Sequence, residues 1–211
     1  MSDSASVNEQ AFSIGLLPNI QRLRWTDSLL IATTGFGLSF YVGVPYFSFS
    51  PALYAFCLLG ALLITISTHD LCSYTIPLRL NEVLLVSGLG ASLLPSGIGI
   101  STALDGAVVG WVAIAGYNQI TQWFSQHRAL GQGDELLALG IGAWLGPELF
   151  IWVLFKGLLI SLWFLIVIRG LSAKWLEVIP FAPMLAVPTL VTVLHAGTTY
   201  HSPLSLIHIS E

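Results

Sequence analysis

Residues 135–168 read ELLALGIGAWLGPELFIWVLFKGLLISLWFLIVI, with three charges (Glu135, Glu148 and Lys156) in an otherwise apolar run. A surface helix of a soluble domain carries a polar face that recurs with the 3.6-residue period, and this stretch has none. A bilayer core is crossed by about 20 mostly apolar residues, so a run of this length, interrupted at Gly146-Pro147, predicts two crossings. The same reading applied outward predicts spans at about 28–48, 51–69, 82–95, 103–125, 135–149, 151–168 and 176–196. The expected fold is all-α, a polytopic membrane helix bundle with about seven transmembrane helices.

Composition agrees. Of 211 residues, 55% are hydrophobic and 9% charged, against about 25% charged in soluble domains, and the mean hydropathy is +0.82. This excludes a soluble enzyme, a disordered tail and a disulfide-stapled secreted domain. A net charge of −4 offers no basic patch, so membrane lipid rather than nucleic acid is the expected surrounding. Cys57 and Cys72 form neither a CxxC pair nor a four-ligand zinc pattern, and Cys57, inside an apolar run, reads as a small buried hydrophobe.

Pro45 and Pro51 bracket an aromatic turn, Pro95-Ser96-Gly97 ends the third span, and Gly131-Gln132-Gly133 precedes the fifth. Gly106, Gly110, Gly116, Gly140, Gly142 and Gly146 would let helix backbones approach closely. Seven spans put 1–27, 70–81, 126–134 and 169–175 on one side, and with them Arg22, Arg24, Arg79, Arg128, Arg169 and Lys174. By the positive-inside rule that side is cytoplasmic, which leaves Lys156 as the exception. Residues 1–27, with Asp3 and Glu9 and without a basic start, read as a cytoplasmic lead-in rather than a signal peptide. Trp25, Trp123 and Trp175 read as interfacial anchors.

Ionisable residues at membrane helices are costly and therefore functional candidates. The candidates are Asp70, Glu82, Asp105, Asp134, Glu135, Glu148, Lys156 and Glu177. Asp70 closes the second span and Asp134 opens the fifth, both at the cytoplasmic depth. Asp105 and Glu148 fall at the other face. Two carboxylates at one depth suit acid–base proteolysis, because like charges a few ångströms apart cannot both ionise. His69 reads as structural, Asp105 as a helix cap or a partner across spans, Glu135 as solvated or paired with the helix dipole, and Glu148 with Lys156 as a pair at the outer face.

Asp70 lies in His69-Asp70-Leu71-Cys72-Ser73-Tyr74-Thr75-Ile76-Pro77, and Asp134 in Gly131-Gln132-Gly133-Asp134. In order and spacing these resemble the bacterial type IV prepilin peptidases, membrane aspartyl proteases of the G-x-G-D type. Their first Asp is followed seven residues later by the Pro of an I-P pair. Gly142-Ala143-Trp144-Leu145-Gly146 resembles the family's G-A-W-L-G, Asp105-Gly106-Ala107 its D-A-x-x-G, and Ile179-Pro180-Phe181-Ala182-Pro183 its I-P-F-G-P. The resemblance spans roughly residues 26–196. It implies a peptidase domain over 28–196, with Asp70 and Asp134 catalytic and Gly131, Gly133 and Pro77 supporting. It implies no metal and no cofactor, and prepilin or pseudopilin leader peptides as partners. Cleavage would follow a glycine at the cytoplasmic face of the bacterial inner membrane, serving type IV pili or protein secretion.

Four positions depart from the pattern. Cys72 stands where members carry an acid, Leu78 where they have Asp or Asn, Leu136 where most have Lys, and Ala182 where they have Gly. The alternatives weighed are a catalytically inactive homologue acting in pilus or secretion assembly, and a small transporter. Long members begin with a further span and a cytosolic segment bearing two CxxC pairs, which this chain lacks, so cleavage without efficient methylation is expected. Residues 197–211 form a C-terminal tail. Its last eight, Leu204-Ser205-Leu206-Ile207-His208-Ile209-Ser210-Glu211, are what one reading frame of a common transposon-based sequencing adapter encodes, so residues 204–211 are expected to be non-native.

Overall fold

Proline and glycine decide where the helices begin. Pro51 takes the first position of its helix after an extended Ser50, and Pro77, with φ −62° and ψ 123°, caps the next. In both places the missing N–H is one that a helix start leaves unsatisfied anyway. In a computed structural model, which describes residues 25–47, 49–95, 97–126, 130–171 and 180–200, the chain forms six helices. They are α1 (Trp25–Phe47), α2 (Pro51–Ser73), α3 (Leu78–Ser92), α4 (Ile100–Ser125), α5 (Gln132–Leu171) and α6 (Ala182–Tyr200). There is no strand among the described residues, so the protein is an all-α, polytopic helical membrane protein.

Four of these helices (α1, α2, α4 and α5) are long and apolar enough to cross a membrane, against the seven crossings expected. Two causes are visible. Helix α3 has 15 residues and the apolar part of α6, Ala182–Ala196, is likewise short. The fifth and sixth expected spans are joined in α5, but Gly146 interrupts it with φ 73° and ψ 173°, a conformation open to glycine and beyond any helix. Gly146 packs on Thr102 and Ile98 at the start of α4, whereas Gly157 lies against Met184 at the start of α6. The chain therefore turns back after Gly146, at the break expected beside Pro147.

Other boundaries move by a few residues. Helix α2 runs on to Ser73, so Asp70 sits inside its last turn rather than closing it. Helix α6 starts at Ala182, not 176, with Pro183 near its first position. The lead-in 1–24 and residues 201–211, including the expected non-native 204–211, lie outside the described residues, as do Arg22, Arg24, Arg128 and Lys174 of the charge asymmetry.

Leu63 and Ile66 of α2, Leu84 of α3, Leu137 and Phe150 of α5 and Leu185 of α6 form a fully buried core. Cys57 is buried in a second cluster with Phe47, Leu53 and Phe56. Outside, Trp163 and Leu158 are about two-thirds exposed and Trp123 is 79% exposed, as suits surfaces that meet acyl chains and headgroups. Helices α4 and α5 pack backbone to backbone. A Cβ on Gly106 would stand 2.2 Å from the Gly142 carbonyl oxygen, and one on Gly110 would stand 2.3 Å from that of Ala138. Lipid gives helices no hydrophobic drive to associate, so close van der Waals contact through small residues takes its place. Gly116 takes no part, having open space around it.

Candidate active site

The last turn of α2 and the first turns of α3, α5 and α6 meet at one end of the bundle. Asp70 is 6% exposed there. Its Oδ2 accepts the Ala182 N–H at 2.8 Å, across 112 residues of sequence, and the Phe181 N–H also bonds this carboxylate. The first N–H groups of a helix have no partner within the helix. Asp70 thus satisfies the start of α6, and those donors supply what water would otherwise give the carboxylate. Helix α2 ends just beyond, where Tyr74 turns left-handed (φ 50°) and its N–H bonds Asp70 O. Pro77 follows and starts α3.

Asp134 is the third residue of α5. Its Oδ2 accepts the Gly131 N–H at 2.9 Å, while its own N–H bonds Gly131 O at 3.2 Å. This is the reciprocal pattern in which a side chain in the first turn reaches back to the capping residue. The glycines on either side of Gln132 serve different ends. The left-handed glycines among the described residues are Gly99 and Gly146. Gly133 is needed for contact, because a Cβ there would meet Ile76 Cβ at 3.0 Å. Gly131 leaves its N–H open to Asp134.

The two carboxylates, 64 positions apart, are close enough for their charges to interact directly. Asp70, Pro77, Gly131, Gly133 and Asp134 all gather here. Asp105 and Glu148 are exposed towards the opposite end. Lys156 donates to Thr192 Oγ1 at 3.2 Å in place of the expected pair with Glu148. His69 hydrogen-bonds Ser28 Oγ at 2.7 Å, tying α2 to α1 rather than serving Asp70. Among the described residues no three His, Cys, Asp or Glu side chains gather into a metal-sized cluster.

Two buried asparagines were not foreseen. Asn118 of α4 donates to Glu135 Oε1 at 2.7 Å and accepts the Leu130 N–H at 2.9 Å, so it grips both sides of the turn that carries Asp134. Glu135 is therefore bonded rather than merely solvated. Asn81 of α3 donates to Gly133 O at 2.9 Å. A polar residue one turn into an apolar helix was the only sequence signal for Asn81, and Asn118 gave a similar one near the end of α4. Trp144 also gains a role: its Nε1 donates to Leu84 O at 3.0 Å over the bare surface of Gly88.

Fold and site define a polytopic membrane protein that presents paired carboxylates at one end of a helical bundle. The chain belongs to the type IV leader peptidase family, whose model matches residues 57–166. It is also similar to the prepilin leader peptidase/N-methyltransferase of Pectobacterium carotovorum subsp. carotovorum, with 28% identity over 141 residues. That alignment covers 64% of this chain and 49% of the relative, so the chain spans about half the length of the curated relative it matches. No solved structure matches the chain.

Proposed function

We propose that this chain is a membrane aspartyl endopeptidase. It removes the leader peptide of type IV prepilins or pseudopilins, cutting after a glycine at the cytoplasmic face of the bacterial inner membrane. The observation that carries the reading is that the fold brings Asp70 and Asp134, 64 positions apart within the family-matched region, within electrostatic reach of each other. Two adjacent carboxylates hold one proton between them. The ionised member takes a proton from water as the water oxygen attacks the scissile carbonyl carbon. The protonated member delivers its proton to the carbonyl oxygen, giving a neutral gem-diol. On collapse the C–N bond breaks, the leaving nitrogen takes the proton first gained from water, and a gem-diol proton returns to the other carboxylate. The pair ends as it began.

The test is cleavage of a pool of synthetic prepilin leaders by the purified protein, wild type beside Asp70→Asn and Asp134→Asn. Wild type should release leader, and each variant, still folded, should release none. Appreciable cleavage by Asp70→Asn would show the wrong pair has been chosen. A folded wild type inert towards every leader would favour the inactive homologue, for which Leu136 in place of the family Lys would be the reason.

A further inference from the structure

We infer that Asn81 is a positioning residue that sets the separation of the two carboxylates. The inference rests on the dyad reading above and concerns how the dyad is held. Asp70 belongs to one unit, formed by α2, the link 74–77 and α3. Asp134 belongs to another, the turn that opens α5. Gly133 is where the turn itself meets the Asp70 unit, lying against Ile76 on one side and accepting the Asn81 amide at 2.9 Å, whereas the other hydrogen bond between α3 and α5, from Trp144 Nε1 to Leu84 O, lies about three turns further along α5. Apolar contact at Ile76 can slide, whereas a hydrogen bond fixes distance and direction. Asn81 makes that bond to the peptide joining Gly133 to Asp134 itself. From the α4 side, Asn118 fixes the turn internally but makes no bond to the Asp70 unit.

The cost of keeping an asparagine here argues against a packing role. Asn81 is 2% exposed, and its Oδ1 is buried with no partner among the described residues. A buried acceptor left unmade opposes folding. Leucine of similar size would remove that penalty, and Gly133 O lies in the first turn of α5, where it can also accept along the helix. Stability alone would favour leucine. The amide is explained by what it holds.

The experiment measures kcat and KM for leader cleavage, together with thermal unfolding, for wild type, Asn81→Leu, Asn81→Thr, Asn81→Val, Ser92→Ala and Asp134→Asn. Ser92 is an equally buried polar residue of α3 at the far end, bonded to Leu89 O of its own helix. Displacing reacting groups by about 1 Å can cost on the order of 100-fold in rate. Asn81→Leu should therefore lose at least about tenfold in kcat, with KM and the unfolding midpoint little changed. Ser92→Ala should match wild type. If Asn81→Leu does not fold, the isosteric pair decides: Asn81→Thr keeps a donor and should turn over faster than Asn81→Val. A wild-type kcat in Asn81→Leu, or equal kcat in Asn81→Thr and Asn81→Val, overturns the inference. If Asp134→Asn is dead while Asn81→Leu is normal, the dyad stands and this inference alone falls. Cleavage by Asp134→Asn takes down both.

Discussion

Gly106 and Gly142 hold α4 and α5 at a distance that no other residue permits, and Gly106→Ala tests this directly. The added Cβ would stand 2.2 Å from Gly142 O and 2.6 Å from Gly146 Cα, both backbone atoms, where real Cβ atoms essentially never come under 3.0 Å. The two backbones must part there by about 0.8 Å. Overpacking of this kind costs about 1–3 kcal/mol, and sometimes more. The helix preference for alanine over glycine returns about 1 kcal/mol. Gly116→Ala, on the same helix with nothing within 4 Å, receives that return without the clash. The two variants should therefore move the unfolding midpoint in opposite directions, by a few degrees for a chain of this size at about 2–4 °C per kcal/mol. Thermal unfolding in detergent micelles, followed by circular dichroism, measures it. Asp134 lies two turns along α5 from Gly142, so Gly106→Ala should also slow leader cleavage while Gly116→Ala leaves it unchanged. Equal stability of the two variants would refute the reasoning, since it would mean that α4 and α5 are not in backbone contact.

The double variant Asp70→Asn/Asp134→Asn should be no slower than either single, because residues acting as one unit are non-additive; a further loss in the double would separate their roles. Glu135→Gln should be nearly neutral in cleavage and stability, since Oε1 remains to accept from Asn118, whereas Asn118→Ala strands the Leu130 N–H and should lower stability by about 1–3 kcal/mol in the same unfolding assay. Trp144→Phe, which removes the bond to Leu84 O, should lower it by about 0.5–1.5 kcal/mol. Reporter fusions after Arg128 and Lys174 should behave as cytoplasmic and a fusion after Ser96 as external; an external report at Arg128 would set the Asp134 turn on the wrong side.

Helix class, the joint at Pro51 and the reversal beside Pro147 were legible because each rests on local chemistry: apolar length, a missing N–H, a residue free to adopt positive φ; the start of α3 at Leu78, four residues before the expected 82, was not. The number of crossings was less so. Hydropathy measures apolar length, and α3, at 15 residues, packs one face on α5 through Leu84 and Trp144 while Val83 and Val86 stay exposed. Asp70 and Asp134 were legible by their shared depth and motif spacing. Their supports were not. Asn81, Asn118 and the Ala182 N–H act through contacts between elements 12 to 112 positions apart, and nothing in the local sequence of an asparagine says whose carbonyl it will meet. Lys156 shows the converse: proximity in sequence suggested Glu148, and the fold gave it Thr192.

The bond from Asp70 to the Ala182 N–H has a consequence for the order in which the protein is made. Helix α2 enters the membrane early, yet the donors that hold its carboxylate come from α6, made after every other described helix. Until residue 182 has been synthesised and its helix has swung in beside α2, Asp70 lacks the partners that fix it, even with Asp134 already in place. A nascent chain of this protein therefore carries both acids before the backbone donors that fix Asp70 exist, and the proposed dyad is complete only once α6 has packed.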